Sequence, residues 1–349
     1  MKDIALVPDN VRNVGITYAK YHNLWLIQSG SGVGFSFTGR KLTLTVGCDP
    51  DALRSGKYCN YPRIAIFADG RPVVKKVIDK EREAFVIADA DHTVTKNIRI
   101  VKLSEAAFSL AVLFPAQTDD SAVIAPAPDK SMKMLFIGDS ITCGYGVDDC
   151  NMFSEFSTSA ENAMKSYSML CADMLGADAC LFAYSGFGII SGYTHDGKRN
   201  SREVLPLYYG SLGFSHSSID GVKPQDIPWD CAQYSPDIIV VNLGTNDNSF
   251  CIANRESFAE FSAAYVRFIR SVRSSAPHAK IICTIGIIGT ETADYLISAA
   301  DNIGDPNLLT FRFSEQTGLL GYGSNMHPSE DTHIYAAEEL AEFIRANIL

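Results

Sequence analysis

The sequence predicts two domains of different class: an N-terminal β-sandwich of the jelly-roll kind, then a three-layer α/β/α domain on a parallel sheet. Two observations carry this. Apolar residues alternate in short runs over the first third of the chain, whereas the rest alternates unbroken apolar runs with helical segments. Charge divides at the same place, with about +5 over residues 1–115 and about −15 over the remainder of a chain of net charge −10.

The first part reads as strands LWLIQSG, GVGFSFTG, KLTLTVG, RIAIFADG, AFVIAD, NIRIVKL and FSLAVLF, rich in Val, Ile, Phe and Thr and punctuated by Gly and Asp. In RIAIFADGRPVVKKV, Asp69-Gly70 between two such runs is the strongest short hairpin signal. Strands without intervening helices fold antiparallel. The polar, Pro/Ala-rich stretch that follows has no period, so the predicted boundaries are a β-sandwich over 1–118, a linker over 119–131 with VIAP as an optional edge strand, and the α/β domain over 132–349.

In the second part MLFIG, ACLFAYSG, DIIVVNLG and KIICTIG are apolar throughout, as strands covered on both faces must be. Helical periodicity marks SYSMLCADMLG, ESFAEFSAAYVRFIRSVRSSA, DYLISAADNIG and SEDTHIYAAEELAEFIRANI.

Several classes are excluded. The nine cysteines include no C-x-x-C pair, which argues against a disulfide framework or a zinc ribbon. No apolar stretch is long enough to span a bilayer, and Asp3 and Asp9 interrupt any signal-peptide core, so a reducing, cytoplasmic setting is expected, or a secreted one if a leader has been removed. The acidic second part argues against a nucleic-acid partner. Nothing in the sequence fixes an oligomeric state.

Chemistry in open α/β sheets collects beyond the carboxyl ends of the strands. Four clusters fall there. Ser140 in Gly138-Asp139-Ser140 follows MLFI, where a serine is either a helix cap or an exposed nucleophile offering its own N–H to a carbonyl oxygen. Tyr184-Ser185-Gly186-Phe187-Gly188 follows ACLFA, and its glycines are turn residues or backbone donors. Asn246 in Gly244-Thr245-Asn246-Asp247 either closes an Asx-turn or aims its amide at a developing oxyanion. His327, before Pro328 and the last helix, is a surface histidine or a base, while His333 within that helix reads as structural.

Ser, Gly, Asn and His in this order resemble the SGNH (GDSL-like) hydrolases over residues 131–349. GDSITCGYGV, PLYYGSLGF…IPWD and the N-terminal β-part further resemble carbohydrate esterase family 2 over nearly the whole chain. The resemblance implies a metal-free, cofactor-independent acetyl esterase acting on acetylated xylan, mannan or their oligosaccharides. It makes Ser140 the nucleophile, His327 the base, and Ser140 N–H, Gly188 N–H and Asn246 the oxyanion donors, with Gly186 the rival glycine. Tyr145, Phe187, Tyr208 and Trp229 are candidate walls for the sugar, and Asp139 and Asp247 are expected to stabilise turns.

Family members often place Asp three or two residues before the histidine, where this chain has Ser324 and Asn325. A Ser–His dyad is therefore expected, with a main-chain carbonyl near 323–325 holding the ring. The alternatives are a lipase or thioesterase, a deacetylase of another glycoconjugate, and a carbohydrate-binding protein without catalysis.

Overall fold

The computed structural model describes residues 1–55 and 60–349. Cys59 lies outside them; none of the eight described cysteines is in a disulfide. The chain divides into two compact units, Met1–Asp129 with Ser157–Glu161 and Leu212–Ile227, and Lys130–Phe156 with Asn162–Ser211 and Pro228–Leu349. The first unit therefore takes back two later segments, which a boundary drawn along the sequence does not anticipate.

Every strand pair in the first unit is antiparallel. Its backbone is the pairing of Gly32–Cys48 with Glu83–Lys102. Each of these absorbs two predicted strands, because the punctuation between them forms irregularities at Gly39/Lys41 and Leu42/Thr43 rather than ends. Strands Arg63–Ala68 and Arg71–Val77 form the expected hairpin, with Asp69 and Gly70 both at positive φ. Phe35, Phe37, Leu44, Ile64, Ile66 and Ile100 fill the core beneath.

The stretch 119–131 is not a free tether. Val123–Pro126 pairs with 35–38 of the long strand, and the Asp119 carboxylate accepts the N–H groups of Arg40 and Lys41 at 2.7 and 3.0 Å. Polar residues there reflect a capped bulge in the long strand, which composition alone does not distinguish from a linker.

The second unit is built on a parallel sheet of Lys133–Gly138, Asp178–Ala183, Ile238–Asn242, Lys280–Ile285 and Leu308–Arg312. In chain order its strands lie 2-1-3-4-5. Met134, Phe136, Ile238, Val240 and Ile282 pack on one face with Tyr167 and Met169 of helix Tyr167–Met174 and Ala336, Leu340 and Ile344 of helix Glu330–Asn347. The alternate residues Leu135, Ile137, Ile239, Val241 and Cys283 are equally buried. On that face Tyr265 of helix Ser257–Ser275 meets the Cys283 thiol. Two covered faces explain the unbroken apolar runs. The fifth strand escaped the sequence reading because its LLTFR is only partly buried and follows no strong signal. No helix among the described residues is long and apolar enough to cross a membrane.

The strand order reverses between Lys133–Gly138 and Ile238–Asn242, which places a crevice above their carboxyl ends. Ser140 and Asn246 lie just beyond those two ends.

Candidate active site

Chain direction changes sharply after Gly138. Asp139 caps the one-turn helix Ser140–Cys143, its carboxylate accepting the Ile141 N–H at 3.1 Å. Ser140 is thereby the first helical residue, whose N–H has no partner within a helix, and it has none elsewhere among the described residues. Its Oγ lies 2.8 Å from His327 Nε2.

The loop bearing His327 is strained. Asn325 and Met326 both sit in the left-handed region, φ +51° and +57°, at a cost of roughly 1 kcal/mol each. This backbone carries the Asn325 carbonyl to 3.2 Å from His327 Nδ1. With Nδ1 donating there, Nε2 is left as the acceptor facing Ser140. No carboxylate pairs with the ring among the described residues. The Asn325 side chain instead donates to Tyr145 Oη at 3.4 Å. Two bonds pin the loop from outside, Met326 N–H to Met152 O at 3.2 Å and Gln316 Nε2 to Met326 O at 2.8 Å.

Tyr145 stacks on the imidazole with ring centroids 3.8 Å apart and is itself backed by Phe156 at 5.0 Å. Withdrawal of water from the ring lowers the His327 pKa to about 4. His327 is therefore neutral at neutral pH. Both ring nitrogens are engaged, so the site offers no open histidine ligand to a metal.

Two buried carboxylates shape the loops around Ser140 and Asn246. Asp247 accepts the N–H groups of Ile189, Ile190 and Ser191 at 2.8, 2.7 and 3.1 Å, fixing the loop after strand Asp178–Ala183. Burial pushes its pKa up to about 6 despite those donors. Asp139, with fewer donors, is pushed up by burial to about 7. Asn246 Nδ2 donates to Phe187 O at 2.8 Å and, through a longer contact of 3.3 Å, to Asp139 Oδ2. The expectation that both aspartates stabilise turns holds.

One predicted donor is not available. The Gly188 N–H is spent on the Glu203 carbonyl at 3.0 Å, and Leu205 N–H returns a bond to Gly188 O at 2.8 Å. Gly188 is glycine for space, since a Cβ there would lie 2.1 Å from Ser191 O. Gly186, at φ +82°, keeps its N–H without an acceptor among the described residues. The open glycine of this loop is thus the rival, Gly186.

The candidate sugar walls divide. Tyr145 and Phe187 are buried, at 5% and 3% exposure, the first committed to His327 and the second packed among Tyr184 and Tyr208. Tyr208 and Trp229 are half-buried, and Trp229 lies flat against Phe182 at 6.4 Å. His333 is structural as expected, its Nδ1 accepting the Tyr167 N–H at 3.1 Å. Sequence spacing missed the Tyr145–His327 stack and the bond from Gln316 to the Met326 carbonyl, since neither Tyr145 nor Gln316 stands in a recurrent position.

Residues 136–333 match the GDSL-like Lipase/Acylhydrolase family. Among relatives, the chain is 28% identical over 325 residues to the cellulase/esterase CelE of Acetivibrio thermocellus, covering 91% of this chain and 37% of that protein. It thus spans little more than a third of CelE. It is 27% identical over 285 residues to an acetylxylan esterase / glucomannan deacetylase of Cellvibrio japonicus, covering 81% and 75%. Among solved structures, the acetyl xylan esterase Est2A from Butyrivibrio proteoclasticus superposes with TM-score 0.85 at 24% identity, covering 99% of this chain and 98% of that one. A family two carbohydrate esterase from Clostridium thermocellum in complex with cellohexaose gives 0.81 at 24%, covering 97% and 98%. The chain belongs to the GDSL-like lipase/acylhydrolase family, and its two-unit fold is that of the family two carbohydrate esterases.

Proposed function

We propose that this chain is a serine carbohydrate esterase that removes O-acetyl groups from acetylated hemicellulose, xylan or mannan, or from its oligosaccharides. The observation that carries the reading is Ser140 Oγ at 2.8 Å from a neutral His327, beside open N–H groups at a topological switch point. The names of the esterase relatives support the choice of acetylated glycan.

His327 Nε2 takes the Ser140 proton as Oγ attacks the acetyl carbonyl carbon. The resulting oxyanion is met by the N–H groups of Ser140 and Gly186. Asn246 exchanges its longer contact with Asp139 for the same oxygen, a donor of this kind being worth about 3 kcal/mol. Collapse breaks the bond to the sugar oxygen, which leaves with the proton from His327. The acetyl-enzyme then adds water, deprotonated by His327, and a second collapse releases acetate and restores the Ser140 hydroxyl. The Asn325 carbonyl holds the imidazolium throughout, without a full counter-charge.

Hydrolysis of acetylated xylan and mannan oligosaccharides, set against acetyl and octanoyl aryl esters, tests the reading. Acetyl esters should be favoured by a large factor, because aromatic residues crowd the ground around Ser140. Preference for octanoyl would make the chain a lipase or thioesterase; no turnover of any acetyl ester would make it a binding protein.

A further inference from the structure

Two successive peptide planes carry His327, and each is held at both ends. In the plane joining Asn325 to Met326, the carbonyl faces His327 Nδ1 at 3.2 Å and the N–H donates to Met152 O at 3.2 Å. In the plane joining Met326 to His327, the N–H donates to Ser324 O at 3.1 Å and the carbonyl accepts Gln316 Nε2 at 2.8 Å. No other group among the described residues donates to Met326 O. Gln316 is also the one member of this set that reaches the loop from outside with a side chain.

Gln316 stands on fixed ground. Beyond strand Leu308–Arg312, Phe313 N–H donates to Ile285 O at 3.3 Å, and the Ser314 N–H and hydroxyl donate to the Glu339 carboxylate at 3.2 and 2.5 Å. The Thr290 hydroxyl bonds the Glu315 carboxylate, and Gln316 N–H donates to Ile287 O at 3.0 Å. Ile287 presents that carbonyl from the left-handed region, φ +63°, although it is β-branched and buried. Outliers of this kind persist only where their surroundings over-determine them.

Strain in the histidine loop gives the Gln316 bond its purpose. Asn325 and Met326 are both left-handed, so an unpinned loop relaxes toward ordinary backbone conformations. Relaxation rotates the two planes, carries Asn325 O away from Nδ1 and turns Nε2 off Ser140 Oγ, which it meets at 2.8 Å. A misplacement of about 1 Å between reacting groups can cost a rate up to about a hundredfold.

We propose that Gln316 is a positioning residue for His327: its amide, anchored at the Ile287 turn, holds the Met326 carbonyl and through it the ring that takes the Ser140 proton. This rests on the ester-hydrolysis reading above. Gln316 touches neither substrate nor reacting atoms, so its loss acts on the chemical step and leaves binding of the ester nearly unchanged.

The experiment measures p-nitrophenyl acetate hydrolysis by wild type, by Gln316→Met, which keeps the length of the side chain without its donor, and by Gln316→Glu, whose ionised carboxylate has none. Competent sites are counted by stoichiometric labelling with a fluorophosphonate. In both variants kcat per counted site should fall about tenfold or more, with KM within about threefold of wild type. A kcat per counted site within threefold of wild type overturns the proposal, whether or not the melting temperature or the number of competent sites falls, because that is the pattern of a purely structural contact. A rise in KM at unchanged kcat overturns it too. If Gln316→Met does not fold, as read by circular dichroism, Gln316→Glu decides alone. A wild type that turns over no acetyl ester refutes the ester-hydrolysis reading itself, whereas an active wild type with undiminished variants refutes only the role of Gln316.

Discussion

Tyr145 and His327 are stacked, with ring centroids 3.8 Å apart and planes 22° from parallel. An aspartate would ordinarily orient such a histidine; here a flat aromatic surface and one backbone carbonyl share that work. Stacks of this sort contribute about 0.5–1.5 kcal/mol, and a π-face also stabilises the imidazolium once it forms. Tyr145→Phe should therefore stay within about threefold of wild type, while Tyr145→Ala should lower kcat roughly tenfold with a smaller change in KM. Steady-state kinetics on p-nitrophenyl acetate check this; equal losses in both variants would place the effect in the hydroxyl instead.

The acceptor for His327 Nδ1 belongs to the backbone of Asn325, at 3.2 Å. Asn325→Ala should cost below about tenfold in kcat, or ~1.4 kcal/mol. Asn325→Val should cost more, because a β-branched residue resists the left-handed conformation at φ +51° and will move the carbonyl. A larger loss for Ala than for Val would mean that the amide side chain, not the carbonyl, orients the ring.

The pH profile follows from the same surroundings. His327 is lowered from 6.5 to about 4, so the folded value lies below the unfolded one and the neutral base survives as pH falls. In kcat/KM the acid limb should sit well below pH 6.5, toward about 4, since that profile reports the free enzyme's base. An acid limb centred at or above the ordinary histidine value contradicts the desolvated ring.

Asp139 carries the opposite sign. Its folded pKa, about 7, lies above the unfolded 3.8, so its contribution to stability is complete below that lower value and is lost as pH rises through 7. His327 and His333 are lowered to about 4 and 3 and lose theirs as pH falls from 6.5, but equally so in wild type and variant. The melting temperature of Asp139→Asn relative to wild type should therefore climb between about pH 4 and 8. A flat difference would mean that Asp139 is not protonated in the folded chain.

Much of this was legible in the sequence, for identifiable reasons. Strand ends in a parallel sheet announce themselves, so the blocks around Ser140, Asn246 and His327 could be found from MLFIG, DIIVVNLG and the helix after Pro328. The choice between Gly186 and Gly188 could not, because it depends on which N–H the distant segment 203–205 consumes. Asp119 shows the same limit: a carboxylate that caps a bulge far along the chain has the composition of a linker residue.

Loss of the Asn246 amide separates positioning from charge stabilisation. Its contacts at Phe187 O and Asp139 hold it next to the nucleophile turn. Asn246→Ala should reduce kcat by about a hundred- to a thousandfold while the fold persists. A loss within tenfold would leave the oxyanion to the backbone donors alone.

The central claim is that Ser140, activated by His327, carries the acetyl group between the two halves of the reaction. Wild type mixed with p-nitrophenyl acetate, quenched in acid and mapped by peptide mass spectrometry, tests it directly. The acetyl group should be found on the peptide containing Ser140, and should be absent from Ser140→Ala, which should also lose turnover. An acetyl group on another residue of the active protein, or a Ser140→Ala variant that keeps turning over the ester, would contradict the assignment.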